Sequence, residues 1–199
     1  MDLIVPPLSD KELQEWADRE RLRLLGDDHT LSFDVEAIIE GEGLRIQAVP
    51  NLLSKFGLEA MPIFSDARIL VDADSYDDPH LWFGRLRFTL MHEMAHYILH
   101  REHLMKVGLN DVHGWAQFVN RVGKDTSVEK QANEFAGRFL VPPDRLQLLI
   151  QEERPRLLAQ HDELPNELFI KYMRVRLAKR FNVSPSVIAI RMSKERLVY

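Results

Sequence analysis

The chain has 199 residues, 45% of them hydrophobic and 29% charged, with a formal net charge of −5 and no cysteine. That length and apolar content suffice for one good-sized core, and the mild acidity gives no global reason to expect a nucleic-acid or membrane partner. Without cysteine there is no disulfide, and any metal must rest on His, Asp, Glu or backbone oxygen.

The opening stretch "MDLIVPPLSDKELQEW" has no basic region, and its short apolar run is broken by Pro6 and Pro7, so it does not read as a signal peptide. No apolar window reaches the length of about eighteen residues that a membrane span requires. A cytoplasmic location is the expectation. Ser9 and Glu12 form a capping-box pattern that starts a charged first helix, which Gly26 should end. "FDVEAIIEG" predicts a short helix. "LRIQAV" alternates and reads as a strand, and "AMPIF" and "RILVD" flank the turn "SDA" as a hairpin. "DADSYDDP" reads as a loop, with Asp78 as an N-cap and Pro79 at the first position of the next helix.

Helical periodicity returns from Pro79 to about Glu102. Residues 105–126 have weak periodicity and read as a long loop. Thr126 or Ser127 starts a helix that "VPP" stops. Further helices are expected over 144–153 and 166–181, and "NVSPSVIAIRM" makes a turn and a last short helix. Helix, then strands, then helices points to an α+β fold.

The helix predicted from Pro79 carries "HEMAH". Two imidazoles at this spacing, His92 and His96, share a helix face one turn apart and suit two nitrogens converging on Zn²⁺. Glu93 lies beside them, able to take a proton from water. The competing reading is a core helix with two satisfied histidines, since Phe88, Leu90, Met91, Met94, Ala95, Ile98 and Leu99 surround them. His100 continues the spacing, but each four-residue step turns the side chain by about 40°. His100 and His103 are therefore expected to face solvent in the last turn, where the helix dipole favours them.

A catalytic zinc needs a third protein ligand. Glu129 offers one, with Asn133 a turn later and able to orient a ligating imidazole. "TSVE" is equally a capping box in which Glu129 reaches back to Thr126. Glu134 is the competing carboxylate, on another face. Tyr97, His113 and Arg138 are candidate oxyanion stabilisers. Trp115, Phe118 and Val119 are expected either to border the cleft as a substrate lid or to close a satellite core.

Taken in order, "RFTLMHEMAHYILH", "EKQANEFAGRFLVPP" and "LAKRFNVSPSVIAIRM" resemble the ImmA/IrrE family of zinc metallopeptidases, over roughly residues 44 to 193. Ala95 stands where the family often has Gly, and the stretch between the first two motifs is long. The resemblance implies a zincin-like core, a small sheet packed on the motif helix, with a helical, helix-turn-helix-like C-terminal part. The expected organisation is an N-terminal helical extension over 1–30, the core over 31–155 and the C-terminal segment over 156–199. The resemblance also implies His92, His96 and Glu129 as zinc ligands and Glu93 as the catalytic base. Its implied substrate is a helix-turn-helix repressor, in a bacterial or phage setting. From Leu164 to Tyr199 there are eight Lys or Arg against two Glu. That basic helix pair leaves a DNA-binding regulator as the alternative, and a non-cleaving, metal-dependent interaction protein as another.

Overall fold

The structure, a computed structural model, describes residues 5–26, 30–78, 82–107, 109, 111–122, 126–159 and 165–197. Helix α1 (Asp10–Leu25) starts at a closed capping box: the Ser9 N–H donates to Glu12 Oε2 at 2.8 Å, and Ser9 Oγ accepts from the Glu12 N–H at 3.3 Å. Gly26 ends it with a positive φ. Helix α2 (Val35–Gly41) is capped by Asp34. Strand β1 (Arg45–Val49), the short helix α3 (Leu52–Phe56), strand β2 (Ala60–Ile63), a 3₁₀ turn and strand β3 (Arg68–Asp72) follow.

The sheet order is β1-β3-β2, with β3 parallel to β1 and antiparallel to β2. The central strand separates two clusters because successive side chains point to opposite faces. Ile69 and Val71 enter the main core, while Leu70, with Met61 and Ile63 of β2, enters a second cluster with Leu104, Trp115 and Phe118.

Two expectations change in this region and just beyond. "DADSYDDP" is not a plain loop: Asp72 caps a one-turn helix, α4 (Ala73–Asp77), by accepting from the Ser75 N–H at 3.2 Å. The stretch read as a long loop holds helix α7 (Val112–Val122), started where the Gly114 N–H donates to Asp111 Oδ1 at 2.8 Å. The stretch carries three glycines, Gly108, Gly114 and Gly123, of which only Gly114 lies within the helix, and Trp115, Ala116 and Phe118 bury one face. The expected first helical position at Pro79 and the side chain of Val119 lie outside the described residues, while Asp78, the expected N-cap, stands at the end of α4.

The motif helix is not uniformly α-helical. An α-helical stretch, α5 (Arg87–Ala95), lies between π-helical segments at Trp82–Leu86 and His96–His100, and α6 (Arg101–Lys106) continues it. Leu90, Met91, Met94 and Ala95 are fully buried against Ala132, Phe135 and Ala136 of α8 (Ser127–Leu140). Helices α9 (Pro143–Leu158), α10 (Asn166–Phe181) and α11 (Pro185–Lys194) complete the chain. Met173, Leu177, Phe181, Ile188 and Met192 from the last two join the same core as Ala17 of α1. The fold is α+β, mostly helical with one small sheet. Among the described residues no helix is long and apolar enough to cross a membrane.

The turn between α10 and α11 rests on the backbone of the first π-helical segment. Gly84 has φ +121°, and a Cβ there would stand 2.4 Å from the Ser184 nitrogen and the Val183 carbonyl carbon. A side chain at this point meets both a disfavoured backbone and immovable atoms. Gly84→Ala is expected to cost at least about 2 kcal/mol, seen as a lower midpoint of thermal unfolding. An unchanged midpoint would contradict this close docking of the C-terminal turn.

Candidate metal centre

Helix α5 brings His92 and His96 to one face, and α8 crosses it at its own first turn. There Thr126 caps the helix, its Oγ1 accepting from the Glu129 N–H at 3.2 Å. The reciprocal half of the capping box is not formed, because the Glu129 carboxylate turns to the histidines. Its Oε2 lies 3.1 Å from His92 Nε2 and its Oε1 3.4 Å from His96 Nε2; the two Nε2 atoms are 3.0 Å apart. The positive end of α8 favours a carboxylate at this position. Asn133, one turn later, accepts through Oδ1 from His92 Nδ1–H at 3.1 Å. The side chains of His92, His96 and Glu129 thus form a compact group able to hold a metal ion.

Protonation makes the geometry demanding. With Nδ1 of His92 donating to Asn133, its Nε2 carries a lone pair. Two imidazoles and a carboxylate then gather round one point, an arrangement that a metal ion there would satisfy. Donor atoms on a tetrahedral ion with bonds of about 2.0–2.1 Å stand roughly 3.3 Å apart; the two imidazole nitrogens are 3.0 Å apart, and each meets a different oxygen of the Glu129 carboxylate, at 3.1 and 3.4 Å.

The titration directions agree. Burial opposes a charge on His92, but the Glu129 hydrogen bond and the neighbouring Glu93 outweigh it, and the His92 pKa is raised. Burial lowers that of His96. Burial works against the Glu129 charge too, yet the two imidazoles hold its carboxyl well below the usual range. A metal ion competes with protons for these side chains, so its binding should weaken as pH falls. Glu93 behaves oppositely: burial, with Glu129 and Glu59 nearby, pushes its carboxyl up to about 8 against the opposing pull of His92.

His100 departs from expectation. It is fully buried, its Nδ1 3.0 Å from His96 Nδ1 and its Nε2 3.1 Å from Gln131 Oε1. The assumed turn of 40° per four-residue step belongs to an α-helix. The π-helical backbone over His96–His100 takes more residues per turn and brings the two rings into register. Burial pushes the His100 pKa down to about 3, so it is neutral and not a solvated cation. His103 is half-buried, and its Nδ1 has no partner among the described residues. The polar neighbour Gln131 went unnoticed in the sequence. Its position two residues after Glu129 is the only available signal, and that spacing does not place it on the same helix face.

The site opens into a cleft of about 1160 Å³. Glu93, Thr89 and Trp115 line it near the histidines. Val187, Ile190 and Lys194 of α11 line its far wall, and Pro7 and Leu8 border it from the N-terminal segment. Tyr97, His113 and Arg138 do not line it. Tyr97 packs between the two clusters under Arg101, and His113 is exposed with its edge on Phe56. Arg138 is buried on Glu134 at 2.6 Å. Glu134 also binds Arg191 at 2.6 Å and pairs with Lys194, so it ties α8 to α11; it lines the cleft but is not part of the converging His92, His96 and Glu129 group.

Phe118 belongs to the second cluster alone, whereas Trp115 belongs to it and also stands 5.7 Å from the His96 ring. Trp115→Ala should cost roughly 3 kcal/mol or more, read as a lower thermal midpoint. A preserved midpoint with altered cleavage specificity would instead mark α7 as a lid.

Residues 79–193, more than half of the chain, match the IrrE N-terminal-like domain, peptidase family M78. The chain belongs to this family. No curated protein and no solved structure matches it significantly. Within this IrrE-like domain lie His92, Glu93, His96, Glu129 and Asn133, together with α10 and α11. Membership brings a metallopeptidase-type function, and with it a protein substrate. The cleft wall at Pro7 and Leu8 and the whole sheet precede the matched segment.

Proposed function

We propose that this protein is a zinc endopeptidase of the HExxH type, with His92, His96 and Glu129 as ligands and Glu93 as general base. The observation that most supports the reading is that nitrogens of His92 and His96 and a Glu129 carboxylate oxygen gather within 4.8 Å of one another. Two imidazole nitrogens with one carboxylate oxygen suit zinc with a position left open. When bound, zinc would polarise the scissile carbonyl and make water more acidic.

The chain's own groups do the rest. Asn133 fixes the tautomer and tilt of His92. Glu93 faces the cleft in a buried, carboxylate-raising environment, which suits a group that takes a proton from the attacking water and returns it to the departing amine. A cation at the triad would pull the Glu93 pKa back from about 8 toward neutrality, so that it is charged before the attack.

The substrate of this reading is a helix-turn-helix repressor, met in the bacterial cytoplasm and cleaved to release its genes. DNA binding by α10 and α11 has less support. Arg191 and Lys194 of the second helix are engaged by Glu134, and that helix forms a cleft wall. The test is incubation of the zinc-loaded protein with a purified helix-turn-helix repressor. A discrete cut, blocked by a chelator, is expected. Chelator-sensitive binding without cleavage would favour the non-cleaving alternative.

A further inference from the structure

The second imidazole of the triad sits on a chain of hydrogen bonds that ends on the backbone before α1. Directionality can be followed from that end, where there is no ambiguity. The Pro6 carbonyl can only accept, and the Gln131 amide meets it at 3.2 Å, so Nε2 of Gln131 faces Pro6. Its Oε1 then faces His100 Nε2 at 3.1 Å, and Nε2 must carry the hydrogen. His100 is fully buried and bonded to no carboxylate, so it is neutral and its Nδ1 is a bare acceptor. His96 Nδ1, 3.0 Å away, must therefore be the donor. The remaining nitrogen of His96, Nε2, is left with its lone pair toward His92 and Glu129.

We propose that His100 and Gln131 are positioning residues that lock His96 in its Nδ1–H tautomer, with the N-terminal segment as anchor through the Pro6 carbonyl. The inference rests on the reading of the triad as a metal site. Asn133 does the same for His92 with a single bond. For His96 the support runs through a second imidazole because that side of the ring is sealed inside the protein. Val5, also buried, holds the anchoring segment in place. The metal site thereby reaches beyond the family domain, to a segment more than seventy residues before it.

Two measurements test this. Long-range ¹H–¹⁵N correlation spectra of the metal-free protein read each imidazole tautomer without any substitution. Nδ1–H at His96 and Nε2–H at His100 are expected, and Nε2–H at His96 would overturn the relay. Zinc affinity is then read by competition with a chromophoric chelator. His100→Leu should weaken it about tenfold or more. His100→Asn, which keeps an acceptor oxygen near the place of Nδ1, should recover most of the loss. Equal affinity in the parent and His100→Leu would overturn the relay while leaving the metal site intact. A parent that binds no zinc would overturn the metal site, and the relay with it.

Discussion

Glu93→Gln should abolish peptide hydrolysis and leave zinc in place. Gln keeps the shape of the side chain but cannot accept a proton, and loss of a positioned general base lowers rate by about 10²–10⁴-fold. Glu93 is not among the atoms that converge at the triad, so zinc content should match the parent. The same substitution has a signature in the metal-free protein. The folded-state pKa of Glu93, about 8, lies above its ordinary 4.5. Its stabilising contribution is complete below that ordinary value and is lost as pH rises through about 8. Metal-free Glu93→Gln should therefore gain stability over the metal-free parent as pH rises, by up to about 4 kcal/mol. Denaturant unfolding at pH 5 and pH 9 would show it. Loss of zinc along with activity, or a stability difference that does not grow with pH, would contradict the assigned role.

Glu129→Ala should lower zinc affinity by more than about a hundredfold, beyond the range for an outer residue that only orients a ligand. Were Glu129 only a helix-start residue, its removal would cost about 1 kcal/mol of stability and leave zinc binding unchanged. The two roles separate cleanly because the cap does not use the carboxylate: Thr126 Oγ1 accepts from the backbone N–H of residue 129, which alanine retains. Glu129→Gln tests the charge. Its oxygen could still approach the histidines, but the third acceptor is then neutral, and affinity should fall as well. Parent-like zinc binding in both variants would place the third ligand elsewhere.

The sequence revealed the triad more readily than its supports. His92 and His96 share a helix face by their spacing, whereas Glu129 was equally a capping-box residue until the family resemblance singled it out; the structure turns its carboxylate to the histidines. β1 was legible from the alternation of its sequence, and the hairpin from two short apolar runs about a turn, whose strands are buried nearly throughout. Helix α7 was not legible because Gly114 stands in its first turn and only the second cluster, assembled from distant segments, explains its apolar face. His100 was misplaced because helix spacing was read as uniformly α, and one π-helical turn changes which residues eclipse. Arg138 is engaged by Glu134 one turn earlier on the same helix, an i,i+4 pair that the sequence spacing already allows. For α7 and His100 the missing information was tertiary: a neighbour distant in sequence, or a backbone distortion that only packing sustains.

The central claim is that three protein atoms converge because a metal belongs among them. Metal analysis of the purified protein, stripped with chelator and reloaded with one equivalent of zinc, tests it most directly, alongside His92→Ala treated identically. The account predicts one zinc per chain in the parent and none retained through desalting in the variant. No retained zinc in the folded parent, or equal retention in His92→Ala, would contradict it.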